Sequence, residues 1–148
     1  MNLFRFIMFC FIDGMNIILH EGGHTVFGIF GILFITVISG TLMQLAIPFI
    51  VYIHFKQQGK ELASAAVLFW FGENFLGIGR YMKDAIVQEL PLFGGSQHDW
   101  TYLFGEFGVT HHCVGIGQTT IILGVVIMVY AGCKLVALCI KKWFTKNC

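Results

Sequence analysis

The chain has 148 residues, of which 57% are hydrophobic and only 11% are charged, whereas a soluble domain carries about a quarter charged residues. So few charged groups cannot cover a soluble fold of this size, and lipid is therefore the expected environment. The net charge of +1 argues against a nucleic acid as the partner, because neutralising phosphates requires a denser set of lysines and arginines.

Four apolar segments are each long enough to supply the roughly 20 helical residues that cross a bilayer. They cover about residues 3–27, 29–55, 62–83 and 114–140. The longer link between the third and fourth segments contains Pro91 and the pair Gly94-Gly95, which indicates a looped or re-entrant connection. The sequence thus predicts an all-α, multi-pass integral membrane protein with about four transmembrane helices, forming a single domain over residues 1–148.

The basic residues around these segments predict an orientation, because lysine and arginine favour the cytoplasmic side. If the chain crosses the membrane four times, most of the basic residues lie on the same side of it, namely Arg5, Lys56, Lys60, Lys141, Lys142 and Lys146. Both termini are therefore expected in the cytoplasm, although Arg80 and Lys83 oppose this orientation. Four crossings also place the end of the first segment on the same side of the membrane as the link between the third and fourth.

The end of the first segment carries the motif His-Glu-Gly-Gly-His at residues 20–24. Residues four apart share one face of a helix, so His20 and His24 can direct both imidazoles at one metal ion. Glu21 lies beside them. This arrangement is typical of a zinc hydrolase, which needs two neutral imidazole ligands, a carboxylate base and a free position for water or substrate. The alternative is a helix end whose histidines bind carbonyls.

Further polar residues surround this motif. Asp13 and Asn16 precede it by one or two turns and are candidates to hold an imidazole N–H. An ionised residue near the bilayer centre costs about 2.5 to 3.5 kcal/mol, so this side of the helix must face protein, water or metal. In the third segment, Arg80 and Asp84 are four residues apart and are expected to form an ion pair near the site.

Catalytic zinc usually has three protein ligands, so a third should come from elsewhere in the chain. Asp99 is the first choice and His98 the second, because both lie in the link that shares a side with the motif. A carboxylate is favoured because two neutral imidazoles, one carboxylate and a hydroxide leave the centre formally neutral. Alternatively, Asp99 caps a helix that begins at Trp100. The remaining candidates for the third ligand are Asp84, His111, His112 and Glu73.

The motif at residues 20–24 and the later Asp99 resemble the site-2 protease class of intramembrane zinc metalloproteases. That class places His-Glu-x-x-His in a membrane helix, takes its third ligand from an aspartate near a later helix, and has a glycine-led polar motif between them, to which residues 40–44 are loosely similar. The resemblance extends from the start of the chain to the region of Asp99. The sequence departs from the class at Asp99, which lies between histidine and tryptophan rather than in an Asn-Pro-Asp-Gly or Leu-Asp-Gly context.

The resemblance implies a membrane zinc metalloprotease with one Zn²⁺ per chain, held by His20, His24 and Asp99. Glu21 would take a proton from the activated water and return it to the leaving amine. Gln44 or Asn74 would hold an extended substrate strand. The expected partners are membrane lipid and a membrane protein or peptide substrate, and the sequence does not indicate an oligomeric state.

Two other classes of function remain open. One is a metal-binding membrane protein without peptidase activity. The other is a helical bundle that acts as a transporter or as a subunit of a larger complex. A transporter would be expected to show internal repeats, which are not visible in the sequence, and a subunit would not need Glu21.

Overall fold

The computed structural model describes residues 3–92 and 98–147, with side chains for residues 12–92 and 98–145. These residues contain helices and no strand, and the all-α prediction is confirmed. The helices are α1 (Leu3–Gly28), α2 (Leu33–Gln57), α3 (Glu61–Lys83), α4 (Asp99–Glu106) and α5 (Cys113–Asn147), and a 3₁₀ turn at Thr110–His112 leads into α5.

Among the residues that the structure describes, three stretches are long and apolar enough to cross a membrane, and the chain is accordingly a membrane protein. They are Leu33–Gln57, Glu61–Lys83 and Thr110–Thr145. The helices begin and end within a few residues of the predicted segments, except that α2 begins later and α5 continues further. Gly31 explains the first difference, because its φ of 66° is one that glycine adopts more easily than other residues and ends the helical path before Leu33.

The long helices pack in sequence order: α1 against α2, α2 against α3, and α3 against α5. α1 and α3 lie on either side of α2 and touch each other only sparsely, which leaves a cleft between them. The packing of α3 on α5 is tight because glycines face glycines. A Cβ on Gly79 would lie 2.6 Å from the Gly117 oxygen, and a Cβ on Gly124 would lie 2.6 Å from the Gly72 oxygen. Such close backbone approach is typical of helix pairs in membranes.

A small apolar core fixes the link against the end of α3. It consists of Ile78, Met82, Ala85, Phe104 and Cys113. α4 packs on this core and begins where His98 accepts a hydrogen bond from the Thr101 N–H at 3.3 Å, which is an N-cap contact. Asp99 therefore becomes the first residue of α4 and is held close to α1 and α3. The predicted turn at Gly94-Gly95 lies outside the described residues.

Candidate metal centre

Two histidines of α1 and the first residue of α4 converge on one point. The Nε2 atom of His20 lies 2.8 Å from Asp99 Oδ2, and the Nε2 atom of His24 lies 3.1 Å from the same oxygen. The two imidazole rings meet edge to face with their centroids 4.6 Å apart. The structure therefore brings together the motif and the aspartate at one end of the bundle.

The chemistry of these groups fits a zinc ion. Two ligands on one tetrahedral zinc, each about 2.0 to 2.1 Å from it, lie about 3.3 Å apart. The His24–Asp99 distance of 3.1 Å is close to that value, whereas the His20–Asp99 distance of 2.8 Å is that of a hydrogen bond. The ligand atoms of His20, Glu21 and His24 also lie within 4.8 Å of one another. Imidazole nitrogens with a carboxylate oxygen are a common donor set for zinc.

The hydrogen bond on the far side of His24 determines which of its ring nitrogens faces Asp99. His24 Nδ1 lies 2.8 Å from the Thr36 backbone oxygen, and because a carbonyl only accepts, Nδ1 must carry the proton. In the neutral ring, Nε2 then has a bare lone pair that faces the Asp99 carboxylate oxygen, which is also an acceptor. Such a pair is stable when a metal ion is shared between the atoms, when the ring is an imidazolium, or when the Asp99 carboxyl carries a proton and donates it to Nε2.

Two glycines make room for the imidazoles. A Cβ on Gly40 of α2 would lie 2.6 Å from His24 Nε2 and 2.8 Å from His20 Cε1. A Cβ on Gly23 of α1 would overlap the backbone carbonyl of Ser39. The backbones of α1 and α2 therefore meet at Gly23, and the two rings occupy the space above Gly40. This explains why the fourth residue of the motif is glycine.

The contacts of Asp99 with the two histidines favour the ionised form of its carboxyl group. Burial by itself would raise the pKa of Asp99, but the contacts with the His20 and His24 nitrogens outweigh it and hold that pKa below its usual value. A carboxylate at this point is what a divalent cation requires of a ligand.

The structure directs the other two leading candidates for the third ligand away from the histidines. His98 Nε2 lies 3.5 Å from Asp84 Oδ2, a separation too long for a good hydrogen bond, and this nitrogen has no hydrogen-bond partner within residues 3–92 and 98–147. Burial lowers the pKa of His98, which favours the neutral ring. Asp84 accepts hydrogen bonds from the Glu89 and Leu90 N–H groups at 3.0 and 3.1 Å and so closes the turn after α3. In the described chain, Arg80 and Asp84 do not form the predicted ion pair.

The predicted supporting residues also have other roles. Asn16 donates a hydrogen bond to Glu73 Oε2 at 2.7 Å and accepts one from Trp70 Nε1 at 2.8 Å, so its amide connects α1 to α3. The imidazole N–H of His24 donates to the Thr36 carbonyl and not to Asn16. Glu73 is buried in this contact. Asp13 is exposed at the edge of the cleft.

The remaining candidates lie away from the histidines. Asn74 is fully buried and donates to the backbone of its own helix at Trp70. His111 and His112 are exposed in the 3₁₀ turn before α5.

Tyr81 of α3 is a site residue that the sequence pattern did not identify. Its hydroxyl oxygen accepts a hydrogen bond from the Asp99 N–H at 3.3 Å. Its ring lies 6.1 Å from that of His20 and stacks on that of His98 at 4.1 Å between centroids. Tyrosine is common at membrane interfaces, so its presence near the end of a membrane helix gave no distinct signal.

A cavity of about 520 Å³ opens onto the centre between α1, α2, α3 and the start of the link. Its lining includes all four groups of the centre, namely His20, Glu21, His24 and Asp99. Apolar side chains such as Val37 and Ile78 form much of the wall, and the polar groups elsewhere in it include Thr41, Gln44, Arg80 and Tyr81. The cavity is thus large enough for a short stretch of peptide.

No family model, curated protein or solved structure matches this chain. The residues of the site therefore carry the functional assignment.

Proposed function

We propose that this protein is an intramembrane zinc metallopeptidase similar to the site-2 protease class, a hydrolase that cleaves a peptide bond of a membrane-associated substrate. The observation that supports this most strongly is the approach of His20 and His24 to one oxygen of Asp99, at 2.8 and 3.1 Å, with Glu21 beside them. His20, His24 and Asp99 would hold the metal, and Glu21 would act as the base.

Zinc, when bound, supplies a Lewis acid that polarises the scissile carbonyl and activates a water molecule. Glu21 accepts a proton from the water as the water oxygen bonds to the carbonyl carbon. The carbon–nitrogen bond then breaks, and Glu21 returns the proton to the departing amine. One water molecule is consumed, and a carboxylic acid and an amine are formed, which become a carboxylate and an ammonium group when the second proton of the water moves to the amine.

The carboxylate of Glu21 is available to act as a base. It is half-buried and lines the cavity, and its carboxylate makes no hydrogen bond or ion pair with any group in the described part of the chain. A carboxylate that is already bound by protein donors would be a weaker base.

Gln44 is the residue best placed to bind the substrate backbone. Its side chain is only 7% exposed and lines the cavity, yet its amide has no hydrogen-bond partner among the described residues. Gln44 follows Gly40 by about one helical turn, or about 6 Å along α2. An extended strand rises about 3.3 Å per residue, so Gln44 would contact the substrate about two residues from the scissile bond.

The membrane arrangement is part of the same proposal. We propose four crossings, with α1 as the first, because its 26 residues exceed the roughly 20 that are needed. Both termini are then cytoplasmic by the distribution of basic residues. Lipid would surround the exposed apolar side chains of α5, among them Val126, Val129 and Val136.

The test is cleavage of transmembrane peptides by the full-length chain in liposomes, with product ends identified by mass spectrometry. Wild-type protein loaded with zinc is expected to cleave, and Glu21→Gln is expected to bind zinc equally well and to lose the activity. The control is His112→Ala, which removes an exposed histidine outside the centre and should retain both properties. Equal turnover by Glu21→Gln would show that the base is assigned incorrectly. Zinc binding without cleavage of any peptide would instead favour a metal-binding protein without peptidase activity.

A further inference from the structure

The hydroxyl group of Tyr81 lies beside the centre and has an unused hydrogen-bonding capacity. A phenol can donate one hydrogen bond and accept up to two. The oxygen of Tyr81 accepts from the Asp99 N–H at 3.3 Å. Within the part of the chain that the structure describes, no group accepts the hydroxyl's own proton. Tyr81 therefore brings a free O–H donor to the wall of the cavity that contains His20, Glu21 and Asp99.

The position of this donor is fixed by its neighbours. The Tyr81 ring stacks on the buried His98 ring at 4.1 Å and meets the His20 ring at 6.1 Å, while the Asp99 N–H holds the oxygen. A donor that is already oriented needs no reorganisation when charge develops near it, and this is the main source of its catalytic value.

We infer that Tyr81 is a further catalytic residue, whose O–H donates a hydrogen bond to the carbonyl oxygen of the substrate as that oxygen becomes negatively charged. The inference rests on the proposed peptidase function. When the water oxygen bonds to the carbonyl carbon, the π electrons move onto the carbonyl oxygen, and they return when the carbon–nitrogen bond breaks. Tyr81 keeps its proton throughout and only strengthens its hydrogen bond.

Three of the other hydrogen-bond donors of the cavity are less suitable. Asn16 is occupied by Glu73 and Trp70. Gln44 lies about one turn away from Gly40, the residue beneath the two imidazoles. Arg80 is exposed in the last turn of α3. Of these donors, Tyr81 is the one in direct contact with groups of the centre.

The test is Tyr81→Phe, which removes the hydroxyl and keeps the ring that packs on His20 and His98. We expect kcat to fall about 100- to 1,000-fold, as it does when one oxyanion donor is lost elsewhere, with KM and zinc affinity close to the wild-type values. The matched control is Tyr52→Phe, since Tyr52 lies near the C-terminal end of α2, away from Gly40 and the centre; this variant should behave as wild type.

A second readout does not depend on turnover. A phosphinic peptide carries a tetrahedral, charged group in place of the scissile amide, and its binding to the zinc-loaded protein can be measured by calorimetry. Tyr81→Phe is expected to weaken this binding by about the same factor as kcat/KM, whereas binding of an uncleaved peptide in a Glu21→Gln background should be unchanged.

The outcomes separate a catalytic role from a positioning role. If the hydroxyl only holds Asp99, Tyr81→Phe will lower zinc affinity, and excess zinc will restore activity and phosphinic peptide binding. That result overturns the inference. An unchanged kcat together with unchanged phosphinic peptide binding overturns it as well. A wild-type chain that binds zinc and the phosphinic peptide but cleaves nothing overturns the proposed function, and with it the catalytic role of Tyr81; the comparison of phosphinic peptide binding then shows only whether the hydroxyl contacts the charged group.

Discussion

Asp99 Oδ2 lies 2.8 Å from His20 Nε2, although 79 residues separate the two in sequence. Three features of the fold produce this contact: the shared side of the motif and the link, the core that anchors α4, and the His98 cap that starts α4 at Asp99. The same carboxylate oxygen also faces His24 Nε2 at 3.1 Å, so a single side chain of the link completes the pair of imidazoles on α1.

Replacing Asp99 by alanine is expected to remove a metal ligand. Zinc affinity should fall by more than about 100-fold, because even residues that only support a ligand often contribute 10- to 100-fold. Asp84→Asn is the matched control: its carboxylate binds the Glu89 and Leu90 N–H groups, so the change should lower thermal stability and leave zinc affinity unaltered. Competition with a chromogenic chelator measures both affinities. Equal affinity in wild type and Asp99→Ala would assign the third ligand elsewhere.

The two central glycines of the motif should respond differently to alanine. A Cβ on Gly22 meets nothing within 4 Å, whereas a Cβ on Gly23 overlaps the Ser39 carbonyl. Gly22→Ala should therefore be neutral or stabilise the chain by up to about 1 kcal/mol, since alanine favours the helix. Gly23→Ala should force α1 away from α2, destabilise the chain by about 1 to 3 kcal/mol and reduce zinc binding. Denaturation in detergent, followed by far-UV circular dichroism, compares the two; similar stability would mean that the helices are not in close contact there.

The hydrogen bonds of Asn16 should stabilise the contact between α1 and α3. Asn16→Leu removes the bond to Glu73 at 2.7 Å and the bond from Trp70 at 2.8 Å. Interhelical hydrogen bonds in membrane proteins contribute about 0.6 kcal/mol on average, and a buried carboxyl left without its partner costs about 1 to 3 kcal/mol more. Stability should therefore fall by about 2 to 4 kcal/mol with zinc stoichiometry retained. If zinc is lost while stability is unchanged, Asn16 supports a ligand, as the sequence suggested.

Hydrophobic length and residue spacing were enough to predict the four long helices, and the short helix α4 lies in the link that was predicted to be looped or re-entrant. Length and spacing could not predict which neighbour a polar residue faces. Asn16 shares the stripe of His20, yet it binds α3, because helical periodicity places residues on a face and not against a particular partner. The spacing of Arg80 and Asp84 suggested an ion pair, but the backbone of the turn after α3 binds the Asp84 carboxylate.

Two contacts that support the centre could not be predicted from the sequence pattern, because both involve backbone groups. The partner of His24 Nδ1 is the backbone carbonyl of Thr36, and every residue has such a group. The Tyr81 hydroxyl reaches the Asp99 backbone N–H, a contact that depends on the path of the link and not on the identity of the residue.

The zinc content of the purified, folded chain tests the central claim most directly. Because His24 Nδ1 donates to Thr36, its Nε2 can face the Asp99 carboxyl group only with a shared metal ion, as an imidazolium, or with a proton on the carboxyl group. We predict about one zinc per chain after purification with zinc present, falling to background in His24→Ala. A folded, monodisperse wild-type chain that takes up no zinc would contradict the metal centre and leave a hydrogen-bonded His24–Asp99 pair in its place.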